Sequence, residues 1–197
     1  MAEIVPPQIA VLSASLGSDS NSRSLCWHAC EFAKERGIEA EFINLQDHRV
    51  LPYFEEGSEG IEEISAKLDT AAAIIVSFPL YNYNMSASLK ALIEHCGNCF
   101  EDKVVGIMTA AGGQSSYMSV MSIVQSLMCD YRSWIIPRYV YAAGGDFEQK
   151  DKPSQEVRQR IEQLVEVAYR TAWQHKMPLP ERVSGQALRG RDLARRL

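Results

Sequence analysis

The chain has 197 residues, of which 46% are hydrophobic and 23% charged, a composition suited to one soluble globular domain with a substantial core. A formal net charge of −5 argues against nucleic acid as the main partner. No apolar run is long enough to span a bilayer and no basic-then-apolar leader opens the sequence. Five cysteines, an odd number, therefore read as reduced thiols of a cytoplasmic protein.

The first apolar run, Ile9 to Leu12, reads as a strand, and it empties into a polar loop over residues 13–22. A helix is expected over 21–36, with Leu25, Ala29, Phe32 and Ala33 at helical spacing and Gly37 as its stop. A strand that runs through Ser, Gly and Asn into a helix N-terminus makes a socket for an anion, because first-turn N–H groups and the helix dipole attract negative charge. Ser15, Ser20, Ser22 and Asn21 can add side-chain donors. The loop has neither G-x-x-x-x-G-K-[ST] nor G-x-G-x-x-G, so a single phosphate monoester fits it better than a nucleoside triphosphate or a dinucleotide. The plainer reading is that Ser and Asn only cap the helix.

Further along, residues 39–44 alternate like a strand and 60–70 read as a short helix. Residues 72–77 form a continuous apolar run, as in a strand covered on both faces. Residues 86–96 are expected to be helical, 103–109 a strand and 115–129 a helix. A last strand begins at 134–136 and resumes at 139–141 beyond Pro137, and a last helix covers about 154–175. Five strands alternating with five helices indicate a parallel sheet with helices on both faces. In such folds ligands gather beyond the carboxyl ends of the strands, where strand order reverses.

The loops after the third and fourth strands suit a ligand at that place. Pro79 is fixed in φ, Leu80, Tyr81 and Met85 offer flat or apolar surface, and Asn82 and Asn84 add amides. Gly112 and Gly113, after Ala110 and Ala111, let backbone N–H groups approach closely. A flavin ring needs this mixture, with apolar faces and a polar edge that gains negative charge on reduction. Against this stands the reading that Tyr81 packs in the core and the glycines only turn the chain.

The Ala14-Ser15 turn with Ser20-Asn21-Ser22, the Pro79-Leu80-Tyr81-Asn82 segment with Ser86 and Lys90 to Glu94 downstream, and Ala110-Ala111-Gly112-Gly113 together resemble the NAD(P)H-dependent FMN reductases of the flavodoxin-like superfamily. The resemblance runs from about residue 8 to 175. It implies an α/β flavodoxin-like three-layer sandwich with a five-stranded parallel sheet in the order 2-1-3-4-5 and helices on both faces. Residues 1–176 would then form the FMN-binding domain, while 177–197, with Arg182, Arg189, Arg191, Arg195 and Arg196 against only Glu181 and Asp192, read by their own composition as a basic tail. The resemblance further implies FMN as cofactor, NADPH or NADH as hydride donor, and free flavin, a quinone or a similar small molecule as acceptor. Ser15, Asn21 and Ser22, with Ser20 beside them, would hold the phosphate. Pro79, Leu80, Tyr81, Asn82, Gly112 and Gly113, with Ala111, would meet the ring. The flavin carries the chemistry, so no side chain is required as a nucleophile or general base.

Two positions depart from the family's pattern. Gly17 stands where many members have arginine, which leaves Arg23 either to supply the charge or to turn outward, and Leu80 stands where many have glutamate. The resemblance also implies a homodimer or homotetramer, and the charge of the tail reads either as an arm across an acidic neighbouring subunit or as a solvated end. An electron carrier that never meets nicotinamide and a noncatalytic redox-sensing protein are the alternatives. Cys96 and Cys99 have the spacing of a redox or half-zinc motif but lie at a helix end with no second pair, and Cys26 and Cys30, one helical turn apart, could face each other or serve as small core residues. His95 reads as a capping or solvated group, with a proton-donor role as the alternative. Asp146 and Glu148 read as solvated loop charges.

Overall fold

A computed structural model describes residues 6, 8–149 and 151–175. The expected basic tail, residues 177–197, lies outside the described residues.

The central sheet is built from β1 (Ile9–Ser13), β2 (Ala40–Asn44), β3 (Ala73–Tyr81), β5 (Val104–Ala111), β6 (Trp134–Ile135) and β7 (Val140–Ala143). These pair in parallel in the order β2-β1-β3-β5, with β6 and then β7 on the far side of β5. Alternate residues of the buried strands serve two cores, as the period of a strand requires. In β3, Ile74, Val76 and Phe78 face one core with Leu89, Leu92 and Ile123. Ala73 and Ile75 face the other with Leu25, Ala29, Ile161 and Val165. Helices α2 (Ile61–Thr70), α3 (Ala87–Cys96) and α4 (Met121–Tyr131) thus cover one face, and α1 (Asn21–Glu35) and α5 (Gln155–His175) the other. This is the expected three-layer α/β sandwich.

The expected count of five strands becomes seven in this sheet, for two local reasons. The last strand is interrupted because Pro137 has no N–H to give and Arg138 takes a left-handed backbone (φ 62°). Its first piece, β6, pairs with Val104 and Val105, and its second, β7, with Met108 to Ala111. In addition, β3 runs on to Tyr81 and folds back through Asn82 (φ 51°) and Tyr83 (φ 59°) into β4 (Asn84–Met85). Two consecutive positive φ values are the geometry of a tight hairpin turn whose twist matches the strands. The segment expected to be helical over 115–129 starts as a 3-10 stretch, Gln114–Val120, before α4 begins at Met121. A small antiparallel ribbon, β8 (Phe147–Gln149) with β9 (Lys152–Pro153), was not anticipated from the sequence.

The first helix ends as expected at Gly37, whose φ of 68° is a left-handed cap. Ile38 N donates to Ala33 O at 2.8 Å and Gly37 N to Lys34 O at 3.1 Å, closing the last turn. No helix among the described residues is long and apolar enough to cross a membrane.

Candidate functional site

A cleft of about 370 Å³ opens beyond the carboxyl ends of β1, β3, β5 and β7. Its walls are Ser15, Gly17 and residues 19–22 from the first loop, Pro79, Leu80 and Tyr81 from β3, Ala110, Ala111 and Gly112 from β5, and Gly144 after β7. Nine of the eleven residues singled out in the sequence therefore meet at one site. Asn82 and Gly113 do not line it. Asn82 borders a neighbouring groove of about 960 Å³ between the β3–β4 hairpin, α3 and α4. Gly113 stands behind the wall, its carbonyl accepting a hydrogen bond from Tyr141 Oη.

One end of the cleft is a helix N-terminus. Ser20 caps α1, its Oγ accepting from Arg23 N at 3.2 Å. Arg23 N and Ser24 N also donate to Ser20 O, both at 3.1 Å, so the N–H groups of Asn21 and Ser22 are the open donors of the first turn. Ser22 Oγ lies 2.9 Å from Ser20 Oγ, and Ser15 Oγ accepts from Gly17 N at 3.3 Å, which leaves the Ser15 O–H to donate elsewhere. The loop is tied down from below. Ala14 N donates to Ser77 O at 2.8 Å, Ser86 Oγ and Ser88 Oγ both donate to Ala14 O, and Ser77 Oγ donates to Ser22 O at 2.7 Å.

Arg23 turns inward. It is only 6% exposed, and its guanidinium donates to the carbonyls of Gly17 and Ser18 and to Gln46 Oε1. No carboxylate pairs with it among the described residues, and its buried Nε has no partner there. The loop therefore rests on a buried guanidinium that is hydrogen-bonded to neutral acceptors. Among the described residues, the one acid in the cleft wall is Asp19.

The other end is flat and uncharged. Leu80 is buried, whereas Tyr81 is 61% exposed and so is not a core residue. The hairpin beyond it is braced by Ser122 Oγ donating to Asn84 Oδ1 at 2.8 Å and by Met85 N donating to the same atom at 2.8 Å. A Cβ at Gly112 or Gly113 would meet nothing within 4 Å, and neither has positive φ, so neither packing nor backbone conformation requires glycine there. What glycine leaves at Gly112 is open backbone facing the cleft. The cleft thus joins a helix N-terminus to an uncharged end walled by Pro79, Leu80, Tyr81, Ala110, Ala111 and Gly112, and its volume is within the usual range for small-molecule sites.

Sequence reasoning missed Gly17, Asp19, Ala110 and Gly144 as wall residues. The Gly144-Gly145 pair directly after the last strand was the available signal for the last of these. The other residues weighed in the sequence stand apart from the cleft. His95 Nε2 lies 2.9 Å from Leu51 O and its ring meets Tyr53 edge-on, tying the 51–60 loop to α3. Cys96 and Cys99 are buried around Ser65, and burial pushes the Cys99 thiol up to about 11. Asp146 Oδ2 accepts from Ala143 N at 2.7 Å, and Glu148 pairs with Lys152 and Arg158, so neither is merely solvated.

The pattern that defines the NADPH-dependent FMN reductases matches residues 7–148. The chain belongs to that family. It is 27% identical over 127 residues to a probable NADPH:quinone oxidoreductase 2 of Oryza sativa subsp. japonica, covering 60% of this chain and 63% of that one. It is 30% identical over 122 residues to an FMN-dependent NADH:quinone oxidoreductase of Cellvibrio japonicus, covering 53% and 60%. The alignments thus span less than two thirds of the curated relatives' length. In three dimensions the fold is similar to the apo form of an NADH:FMN oxidoreductase, with a TM-score of 0.70, 13% identity, and 84% of this chain and 89% of that chain covered. The family's defining pattern covers all four segments that wall the cleft, from the first loop through Gly144.

Proposed function

We propose that the chain binds FMN in this cleft and is an NAD(P)H-dependent oxidoreductase that reduces free flavin, a quinone or a similar small acceptor. The observation that carries the reading is the pairing, in one cleft, of a helix N-terminus backed by a buried arginine, which meets no carboxylate among the described residues, with a glycine loop and an exposed tyrosine. Asn21 and Ser22 N–H, with the hydroxyls of Ser15, Ser20 and Ser22, hold the phosphate, and Arg23 supplies positive charge from beneath the loop. Pro79, Leu80 and Tyr81 lie against the ring, and the backbone of Ala111 and Gly112 donates to its polar edge. Asn82 and Gly113 act one step removed, through the hairpin and through Tyr141. Bound FMN supplies two-electron transfer between NAD(P)H and the acceptor, and the protein contributes orientation and shielding from water.

The adjoining 960 Å³ groove with its exposed Tyr81, and the exposed Tyr53 and Phe54 of a further groove that shares Lys90 and Ser126 with it, support self-association, as a homodimer or homotetramer, with the cleft near the interface. All five cysteines are free thiols, which supports a reducing, cytoplasmic setting.

The test is anaerobic stopped-flow mixing of the FMN-loaded protein with NADPH and, separately, NADH. Bleaching of the visible flavin band, followed by its return on adding a quinone, is the expected result. Bleaching by dithionite but by neither nucleotide would make the chain an electron carrier instead. Failure to bind FMN at all would leave a noncatalytic protein of this fold.

A further inference from the structure

A second cavity, of about 490 Å³, opens at the free edge of the sheet, where β6 gives way to β7. Ile136 and Pro137 of the strand break and Leu164 and Val167 of α5 make its walls apolar. The rings of Tyr117 and Tyr139, 4.9 Å apart and inclined by 32°, supply a flat aromatic side. Two guanidinium groups, of Arg138 and Arg160, are part of the lining, and no carboxylate lines the cavity among the described residues. Arg160 is paired with Glu156. Arg138 is exposed, and no hydrogen bond or ion pair engages it among the described residues. It is also held with φ at 62°, a conformation that non-glycine residues adopt at a cost and that recurs at ligand clamps.

The tyrosine pair reaches the cleft as well. Tyr139 Oη donates to the Tyr117 carbonyl at 2.6 Å, and the Tyr117 ring meets Tyr141 edge-on at 5.3 Å. Tyr141 Oη donates to the Gly113 carbonyl and lies 2.9 Å from Ser116 Oγ. Gly113 adjoins Gly112 in the cleft wall. One continuous set of contacts therefore joins the second cavity to the glycine loop.

We propose that this cavity is a second small-molecule site, for a flat aromatic carboxylate, and that its occupancy tightens ligand binding in the cleft. The free guanidinium of Arg138 matches the two oxygens of a carboxylate, while the ring would lie against Tyr117 and Tyr139 between apolar walls. A polyphosphate would need donors from more directions than two arginines provide. A ring seated there restrains Tyr117 and Tyr139, and through Tyr141 it restrains the segment from Gly113 to Tyr117. A ligand of the cleft then has less of that loop left to order, and the effect is reciprocal. The coupling rests on the FMN reading of the cleft, whereas the site itself does not.

Calorimetric titration of the full chain, free of FMN, with 1-naphthoate and with the neutral 1-naphthalenemethanol tests the site. Naphthoate is expected to bind with a Kd below about 1 mM and the alcohol about tenfold more weakly. Arg138→Gln should weaken naphthoate about tenfold, and Val167→Glu, at a half-exposed helical position, should abolish binding by adding a like charge. Circular dichroism of both variants checks their folding. Saturating naphthoate should tighten FMN about fivefold in the wild type and not in Arg138→Gln, whose FMN affinity alone should match the wild type. The absence of naphthoate binding, or equal binding of the alcohol, would overturn the site. So would binding that survives both substitutions, or that is displaced by FMN. Unchanged FMN affinity would overturn the coupling. If FMN itself fails to bind, the reading of the cleft falls, while the naphthoate titrations still judge the cavity.

Discussion

The phosphate end of the cleft gives the sharpest prediction, through a Ser15→Ala, Ser22→Ala double variant. Both side chains are almost fully buried, and each has an internal partner on its oxygen: Gly17 N for Ser15 and Ser20 Oγ for Ser22. Gly17 N donates to Ser15 and leaves that hydroxyl proton free, while in the Ser20–Ser22 pair either hydroxyl can donate, so one proton of the pair remains for an anion. A hydrogen bond to a charged phosphate is worth about 1.5–3 kcal/mol, so losing two costs about 3–6 kcal/mol, or two to four decades of FMN affinity. Riboflavin has the same ring and no phosphate, and its affinity should change by no more than about twofold. The cap itself survives, because Ser20 still accepts from Arg23 N. The assay is quenching of flavin fluorescence on titration with protein, for both ligands and both proteins, with thermal melting as the folding control. Equal losses for FMN and riboflavin would refute the assignment and move the phosphate elsewhere.

Other perturbations address the rest of the structure. Gly112→Val adds a side chain where a Cβ meets nothing of the protein, so the melting temperature should hold while FMN affinity falls about tenfold or more; unchanged affinity removes that loop from the site. Phe100→Ala, at a fully buried side chain, should cost about 3–5 kcal/mol in urea unfolding, and a loss under about 1 kcal/mol would mean that the core there is loosely packed. Burial raises the Cys30 and Cys99 thiols from 9.0 to about 11, so between those values the native chain holds protons the unfolded chain has lost, and stability should fall as pH rises through that window. In the native state at pH 8 a thiol reagent should label the exposed Cys129 first, with the buried Cys26, Cys96 and Cys99 reacting only on unfolding.

The sheet was legible because its central strands are buried on both faces. Runs such as Ile9 to Leu12 and Ala72 to Val76 have no solvent side to interrupt them, and the 3.6-residue spacing of Leu25, Ala29, Phe32 and Ala33 marks α1 equally plainly. The cleft was legible because its wall residues sit at strand ends, where sequence position and spatial position coincide. Ser15, Asn21, Pro79, Tyr81 and Gly112 converge for that reason. What was not legible depends on backbone geometry that residue type does not announce. Asn82 and Tyr83 both adopt positive φ, which turns a stretch read as loop into a hairpin and carries Asn82 into the next groove. The inward course of Arg23 depends on Gln46, twenty-three residues away at the end of a different strand, and spacing alone could not choose between inward and outward. The role of Gly113 depends on Tyr141 approaching from β7.

The central claim is that FMN lies in this cleft with its phosphate on the first turn of α1. A crystal structure of the protein grown with FMN tests it most directly. The phosphate oxygens are expected within hydrogen-bond distance of Asn21 N, Ser22 N and the Ser15 hydroxyl, with the ring between Tyr81 and the backbone of Ala111 and Gly112. An ordered FMN bound anywhere else, or a phosphate turned away from the α1 N-terminus, would contradict it.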